Sequence, residues 1–347
     1  MTTRILICDD SGMARKQMAR ALPPDWDTEI TFAADGREGL EKIREGGPEV
    51  LFLDLNMPEL DGYQVLEAIR TEDLPVMTIV VSGDIQPQAR DRVKKLGAID
   101  FIKKPTDVGL VTQLLSEYGL YRPSTEGAEP PPPTPEAVNQ SIFAHAIEDN
   151  LSLTDYLQEI SNVAMGRAAD LLARLLNVFI KLPVPKVNRI ERSELSMALS
   201  AAADNEHFSG VCQGFMGAGL SGEALLLFAD ASIEDLGHLL HERLDMEQIT
   251  ETEVLMDTCS ILFGAFLKGF SSQLDIPLGL SHPVVLGQHR PINELLEHHN
   301  LNRENLLSIE ITYEIEQHNI SCDLLILLTE ESVLRLEHLL QFTREDA

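Results

Sequence analysis

The sequence predicts two domains of different class, an α/β domain followed by an α+β domain of two similar halves. Over the first 120 residues, five short apolar segments alternate with helical patterns, which is typical of a parallel sheet covered by helices. A proline-rich segment near residue 130 then interrupts the pattern. The remainder contains the same order of helix, strand pair and helix twice, and self-similarity at this scale predicts two halves related by a pseudo-twofold axis.

The first domain is predicted to have a (βα)5 doubly wound fold. Its strands are apolar on both faces, as expected for strands buried in the middle layer. In such a sheet, residues that follow the strands meet at the carboxyl edge, where ligands bind. The expected strands are residues 4–8, 30–33, 50–53, 78–81 and 98–102.

Polar side chains follow four of these five strands. Asp9 and Asp10 follow the first, Asp54 the third, Ser82 the fourth and Lys104 the fifth. Three carboxylates at one edge stay ionised only if a cation neutralises them, and oxygen ligands suit Mg²⁺. Asp54 is therefore the candidate nucleophile toward a phosphoryl group, with Lys104 and the cation balancing charge.

These residues resemble the receiver domain of two-component response regulators. The matching features are Asp9-Asp10, Asp54 with Asn56-Met-Pro58 and Asp61-Gly62, Ser82-Gly83, Phe101 and Lys104-Pro105. The resemblance implies phosphorylation of Asp54 by a histidine kinase and a switch formed by Ser82 and Phe101. It also implies that Mg²⁺ is bound by Asp9, Asp10, Asp54 and the backbone carbonyl of Asn56, and that the bond before Pro105 is cis. Lys103 is adjacent to Lys104, and the family's lysine directly precedes the proline, so Lys104 is the expected residue.

The second domain carries a polar pattern on its first helix, expected near residues 153–180. Asp155, Glu159 and Asn162 follow spacings of four and three, so they share one helical stripe. We expect this stripe to face solvent; a carboxylate and carboxamide sealed inside the fold would instead favour a phosphorylation-dependent docking protein over a phosphatase. The opposite stripe is predicted to be core and comprises Leu157, Ile160, Ala164, Ala168, Leu171 and Leu175.

The spacing recurs in the second half of the repeat. Pro185 follows Asn162 by 23 positions, and Pro283 follows Ser260 by 23 positions. Glu253, Asp257 and Ser260 occupy the places of the first triplet. A plain solvated helix face is the alternative interpretation, because polar pairs four residues apart are common on surface helices. The recurrence of the same spacing in both halves favours a functional site over a plain solvated face.

The pattern resembles the CheC/CheX/FliY family of chemotaxis phosphatases, which hydrolyse the aspartyl phosphate of the receiver CheY. The family motif is an acid or Ser, then Glu, then Asn, with a Pro about 22 residues later, and the first half fits it. The resemblance implies that Glu159 pairs with the receiver's lysine and that Asn162 aligns the attacking water. The second half departs from the motif: Asp257 is shorter than Glu and Ser260 lacks the amide. We therefore expect a weak or silent second site.

Composition limits the partners and the compartment. Lys and Arg total 27 against 56 Asp and Glu, a formal net charge of −29, and residues 122–347 hold 13 basic and 35 acidic side chains. Such acidity disfavours nucleic acid and anionic membrane surfaces as partners. The four widely spaced cysteines, the absence of a signal-peptide pattern and the short apolar runs favour a cytoplasmic protein without a membrane span.

The predicted organisation is a receiver domain at residues 1–121, a proline-rich linker at 122–140 and a CheC-like phosphatase domain at 141–347. The expected function is a response regulator whose output hydrolyses the aspartyl phosphate of a CheY-like receiver, either a separate protein or its own Asp54. The alternative is a phosphorylation-dependent adaptor with a non-catalytic output domain.

Overall fold

The computed structural model describes residues 2–122, 152–191, 207–244, 250–297, 305–318 and 320–345. These residues form two compact units, Met1–Glu159 and Ile160–Asp346. Beyond Arg122, the predicted linker at 122–140 lies outside the described residues, so its boundaries stay predictions.

The first unit is built on a five-stranded parallel sheet with strand order β2-β1-β3-β4-β5. This confirms the predicted (βα)5 fold. The strands are β1 Thr3–Cys8, β2 Thr28–Ala33, β3 Val50–Leu53, β4 Met77–Ser82 and β5 Asp100–Lys103. The helices are α1 Gly12–Ala21, α2 Gly36–Arg44, α3 Gly62–Thr71, α4 Pro87–Lys95 and α5 Val108–Glu117.

The two faces of this sheet carry separate apolar clusters. Leu6, Leu51 and Leu53 pack with α2 and α3 on one face, and Ile5, Ile7 and Phe52 pack with α1 and α5 on the other. Alternate residues of the same strand thus point to opposite clusters. This arrangement explains why the strands are continuous apolar runs and why their polar residues begin only where the strands end.

Gly62 at the start of α3 fits against the end of β3. A Cβ placed there would lie 2.2 Å from the carbonyl oxygen of Asp54, so the close approach requires glycine. The neighbouring Asp61 caps the helix and forms a reciprocal pair of hydrogen bonds with Gln64. The Asp61-Gly62 pair therefore fixes the loop that follows Asp54.

The second unit is an α+β structure on an antiparallel sheet of eight strands, with α6 beginning in the first unit and continuing here. The helices are α6 Leu153–Leu176, α7 Asp230–Leu244, α8 Glu251–Leu274, α9 Ile292–Glu297 and α10 Glu330–Glu345. The strands are β6 Ile180–Lys181, β7 Lys186–Glu191, β8 His207–Gly217, β9 Leu220–Ala229, β10 Gly279–Leu280, β11 Val284–Pro291, β12 Asn305–Ile315 and β13 Ile320–Thr329.

The predicted repeat is present in this sheet. The second copies of α6, β7 and β8 are α8, β11 and β12, and each begins 98 residues after the first copy. The central strands run in the order β8-β9-β13-β12, and β10 and β11 pair with β8 as β6 and β7 pair with β12. The edge strands of each half therefore complete the other half, and Pro185 and Pro283 both stand directly before an edge strand.

Two serine side chains form equivalent hydrogen bonds between the two halves. The Ser232 hydroxyl accepts a hydrogen bond from the backbone N–H of Ser321 at 3.2 Å, and the Ser332 hydroxyl accepts one from the backbone N–H of Ser221 at 2.7 Å. Ser332 also donates to the carbonyl oxygen of Ser221. These serines belong to the matching joints Asp-Ala-Ser-Ile233 and Glu-Glu-Ser-Val333 of the two halves, so each helix start is fixed to a strand of the other half.

Replacing Ser332 with alanine is expected to destabilise the second unit by about 1–3 kcal/mol, because it leaves the backbone N–H of Ser221 without its partner. Ser332 is fully buried, so water does not replace the hydroxyl. The free energy of unfolding in urea measures the effect. Ser272→Ala, at an exposed position of α8, is the control; equal stability of the two variants would contradict this role.

His289 joins the starts of α7 and α8. Its Nδ1 lies 2.9 Å from an Asp230 oxygen and its Nε2 lies 2.9 Å from a Glu251 oxygen. These contacts, led by the Asp230 hydrogen bond, raise the pKa of the ring above 6.5. We expect NMR titration of His289 to show a midpoint above 6.5 that falls in Asp230→Asn.

The same shift predicts a pH dependence of stability. The contacts of the protonated ring add fully to the free energy of unfolding below about pH 6.5. This stabilisation is lost as the pH rises through the higher pKa of His289 in the folded state. The difference in the free energy of unfolding between wild type and His289→Ala should therefore shrink over that range. A difference that stays constant with pH would contradict the assigned contacts.

Helix α6 departs from its predicted limits and core stripe. It ends at Leu176 rather than near residue 180, because Asn177 takes a left-handed conformation with φ of 51°. Leu157, Ile160, Ala164 and Ala168 are buried as expected, whereas Leu171 and Leu175 are 52% and 36% exposed. In the last turns Leu172, Ala173 and Leu176 are buried instead, so the buried face there is displaced around the helix axis from the predicted stripe.

Helix α8 has the length and composition of a membrane-spanning segment, with 24 residues from Glu251 to Leu274. By length and hydropathy alone, this helix could span a bilayer, contrary to the expectation from the sequence. Twelve of its residues are buried within the protein, among them Phe263, Phe266 and Phe270. The high hydropathy of α8 is therefore also explained by its burial as a core helix of the protein.

Candidate functional site

The carboxyl edge of the first sheet brings together the acidic residues predicted from the sequence. Asp9 and Asp10 follow β1, Asp54 follows β3, and these strands are neighbours in parallel register. One carboxylate oxygen from each of the three residues lies within 4.8 Å of the others, an arrangement that could hold a metal ion. Asp9 and Asp54 are buried, and Asp10 is half-buried.

Backbone groups hold two of these carboxylates in place. The N–H of Ser11 donates to Asp9 Oδ1 at 2.9 Å, and the N–H of Asn56 donates to Asp54 Oδ2 at 3.0 Å. The Arg15 guanidinium donates to the carbonyl oxygens of Asp9 and Asp10, at 2.6 and 3.2 Å. The loop after β1 is thus fixed by the first turn of α1, for which Ser11 is the N-cap.

Lys104 lies in the middle of this acidic cluster. Its Nζ is 2.7 Å from Asp9 Oδ2 and 3.3 Å from Asp54 Oδ1, and the residue is only 3% exposed. Burial alone lowers the pKa of the ammonium, but the carboxylates of Asp54 and Asp9 outweigh burial and hold it well above its usual value. Lys103 is exposed, and the Lys104–Pro105 peptide bond is cis.

The expected switch residues are both buried. The Ser82 hydroxyl accepts a hydrogen bond from the backbone N–H of Asp84 at 3.1 Å, and the backbone carbonyl of Ser82 accepts one from Lys104 N–H at 2.9 Å. Phe101 packs into the cluster of α2 and α3, and the guanidinium of Arg90 lies 5.5 Å from its ring centre. These contacts place both residues around the strand ends that carry Asp54 and Lys104.

The charge balance of the pocket suits a divalent cation. Burial, followed by the Asp9 charge, raises the pKa of Asp10 to about 7. Burial also raises the pKa of Asp54 well above its usual value, against the opposing effect of Lys104. Asp54 Oδ1 accepts no hydrogen bond from any described residue. An all-oxygen set within 4.8 Å fits Mg²⁺, with Asp9, Asp10, Asp54 and the Asn56 carbonyl as the residues that would hold it.

Glu159 of α6 reaches the same pocket, within the first unit. Its Oε1 lies 3.5 Å from Lys104 Nζ, and the adjacent Gln158 donates through Nε2 to Asp10 Oδ2 at 3.1 Å. Burial raises the pKa of the Glu159 carboxyl, while Lys104 acts in the opposite direction. Two successive residues of α6 therefore contact a buried lysine and an acidic residue of the phosphoacceptor pocket.

The expectation that Glu159 and Asn162 face solvent is wrong. Glu159 is 6% exposed and Asn162 is 4% exposed, whereas Asp155 is exposed as predicted. The physical reason for Glu159 is its ion pair with Lys104: the carboxylate is buried among charged groups, not in an apolar core. Helical spacing alone shows which residues share a face but not what covers that face.

The corresponding residues of the second half lie elsewhere. Asp257 and Ser260 are exposed on α8, as a solvated helix face would be. The Ser260 hydroxyl donates to the carbonyl oxygen of Met256 on the preceding turn, at 2.7 Å. Its hydrogen is thus used within its own helix.

Two residues of the pocket were missed from the sequence. Arg15 binds backbone carbonyls, which no sequence motif displays. Gln158 lies beside Glu159 in the chain, outside the spacing of four and three that drew attention to the helix. Its only signal was this adjacency to the candidate catalytic residue.

Comparison with known proteins identifies the first unit. The family described as response regulator receiver domain matches residues 5–116. Over 104 residues, the chain is 36% identical to protein-glutamate methylesterase/protein-glutamine glutaminase 3 of Geobacter sulfurreducens, an alignment that covers 30% of this chain and 28% of that protein. The chain thus spans less than a third of that relative's length, and the activity in its name is a property of that protein.

Solved structures resemble the chain over part of its length. The signal receiver domain of the response regulator NarL from Mycobacterium tuberculosis is 28% identical, with a TM-score of 0.32, and the match covers 35% of this chain and 98% of that one. FliY from Thermotoga maritima is 19% identical, with a TM-score of 0.41, and the match covers 56% of this chain and 98% of that one. The fold, the acidic pocket and the family match agree: residues 5–116 are a response regulator receiver domain.

Proposed function

We propose that the protein is a response regulator phosphorylated on Asp54, whose CheC-like output hydrolyses the aspartyl phosphate of a CheY-like receiver through Glu159 and Asn162. The observation that carries the proposal is the contact between Glu159 and Lys104. This contact supports the proposal because it pairs the Glu159 carboxylate with the buried lysine that follows β5.

Phosphorylation would proceed at Asp54. Its Oδ1, which accepts no hydrogen bond from a described residue, attacks the phosphorus of the donor, and the donor's leaving group departs with the electron pair. Lys104, 3.3 Å from this oxygen, stabilises the transferred phosphoryl group. Mg²⁺, when bound, would neutralise the added negative charge.

Hydrolysis needs little more than a positioned water. The water oxygen forms a bond to phosphorus, the bond between phosphorus and the Asp54 oxygen breaks, and its electron pair returns to the carboxylate. The water proton passes to the released phosphate. Because an acyl phosphate is already reactive, alignment of the water by the Asn162 amide supplies the main acceleration, and Glu159 fixes the helix to the receiver lysine.

Two observations support an adaptor as the second candidate. Glu159 and Asn162 are buried, so Glu159 must leave Lys104 before it can pair with the lysine of another receiver. The second half has Ser260 in place of the amide, and its hydroxyl is bound to its own helix. A CheC-like domain that binds a partner without hydrolysis would show both features.

Phosphate release discriminates between the two functions. A CheY-like receiver is phosphorylated with a small-molecule phosphodonor, freed of the donor, and mixed with the purified full chain in Mg²⁺. Faster release of inorganic phosphate than from the receiver alone supports the phosphatase. Binding without faster release, with no acceleration of release from phosphorylated Asp54 either, supports the adaptor.

A further inference from the structure

We infer that the receiver on which Glu159 acts is the one in its own chain, and that Gln158 positions α6 for this by binding Asp10. The inference rests on the proposed phosphatase function and specifies its substrate. It assigns to Gln158 a role that neither the sequence pattern nor the family match gives it.

Two separate contacts within the first unit carry the inference. Glu159 Oε1 is 3.5 Å from the ammonium of Lys104, and Gln158 Nε2 is 3.1 Å from Asp10 Oδ2. They reach different groups, a cation at the end of β5 and an anion after β1. A carboxylate on the lysine and an amide donor on the aspartate are complementary in charge at both points.

Burial makes these contacts specific. Glu159 and Lys104 are both almost inaccessible to solvent, so separating them would leave a buried charge without one of its partners. Gln158 is half-buried and donates to a carboxylate oxygen, which has a second lone pair available for a cation. The hydrogen bond orients Asp10 and leaves it able to serve as a ligand.

The covalent connection between the receiver domain and α6 favours reaction within one molecule. Some thirty residues join Arg122 to Leu153, and this covalent connection makes the encounter of Glu159 with its own receiver an intramolecular event. A separate receiver at micromolar concentration would have to compete with that. The self-directed reaction therefore dominates unless its contacts are broken.

The test follows the decay of phosphorylated Asp54 in the full chain at several protein dilutions. The Asp54→Ala chain keeps Glu159 and Asn162 but has no phosphoacceptor, while the Glu159→Ala/Asn162→Ala chain can be phosphorylated but lacks the output residues. The inference predicts that wild type decays with a first-order rate independent of concentration. It also predicts that adding the Asp54→Ala chain does not restore fast decay to the phosphorylated double variant.

Gln158 variants of similar size test its positioning role. Gln158→Glu places a carboxylate beside Asp10 and should slow the self-directed decay by about tenfold, the size expected from losing a hydrogen bond to a charged group. Gln158→Lys offers a cation to Asp10 and should slow the decay less than Gln158→Glu does. A residue that only filled space would give equal rates for Glu and Lys, and that result would overturn the assignment to Gln158.

The outcomes separate the inference from the function on which it rests. If decay accelerates with protein concentration, or if the Asp54→Ala chain restores decay to the double variant, the phosphatase exists but acts between molecules, and the inference fails. If wild type and the double variant decay equally and neither accelerates release from a separate receiver, the proposed function itself fails.

Discussion

Asp54→Ala is expected to abolish phosphorylation of the protein. Asp54 Oδ1 accepts no hydrogen bond from a described residue and lies 3.3 Å from the Lys104 ammonium, so it is the carboxylate oxygen in position to attack phosphorus. Asp9 is instead paired with Lys104 at 2.7 Å and with the backbone of Ser11. Incorporation of one phosphoryl group from a small-molecule phosphodonor in Mg²⁺, followed by intact-protein mass spectrometry, measures the loss.

Asp91→Ala is the matched control for this prediction. Asp91 is an exposed carboxylate on α4 of the same unit, and its replacement should leave phosphorylation unchanged. Phosphoryl incorporation that persists in Asp54→Ala at the wild-type level would show that another residue is the acceptor.

Glu159→Ala/Asn162→Ala should remove the accelerated hydrolysis while leaving phosphorylation of Asp54 intact. Loss of a single well-placed donor in a preorganised site commonly costs about 10²–10³ in rate, so phosphorylated Asp54 should persist correspondingly longer. The phosphoacceptor, Lys104 and the candidate Mg²⁺ ligands are unchanged in this variant. The half-life of the phosphorylated protein, followed after removal of the donor, gives the effect.

The second half of the repeat supplies a control at the corresponding positions. Asp257→Ala/Ser260→Ala changes the corresponding positions on α8, where both side chains are exposed and the serine hydroxyl is bound within its own helix. We expect this variant to hydrolyse its phosphate at nearly the wild-type rate. Equal losses in the two double variants would instead indicate that both halves contribute.

The receiver fold could be predicted in detail because its signals are local. Each strand is a short apolar run, each ends at a polar residue, and in a parallel sheet those ends meet at one edge. That reasoning placed Asp9, Asp10, Asp54 and Lys104 in one pocket, where the structure has them. Arg15 escaped prediction because its partners are carbonyl oxygens, which every residue has.

The repeat was also visible, since the spacing of its elements is constant along the chain. Exchange of edge strands between the halves was not predictable, because short strands such as Ile180–Lys181 and Gly279–Leu280 carry too few residues to show a pattern. The burial of Glu159 was mispredicted for a related reason. A polar stripe identifies side chains that need polar partners. A charged pocket such as that around Lys104 supplies such partners as well as water does.

The proposed hydrolysis requires one helix to present a carboxylate and a carboxamide to an aspartyl phosphate. Its most direct test is the release of phosphate, measured in parallel for wild type, Asp54→Ala and Glu159→Ala/Asn162→Ala, each alone and with a separate phosphorylated CheY-like receiver in Mg²⁺. We predict rapid release from phosphorylated wild type, slow release from the phosphorylated double variant, and no acceleration by the double variant of the separate receiver. Release from the double variant as fast as from wild type would contradict the account.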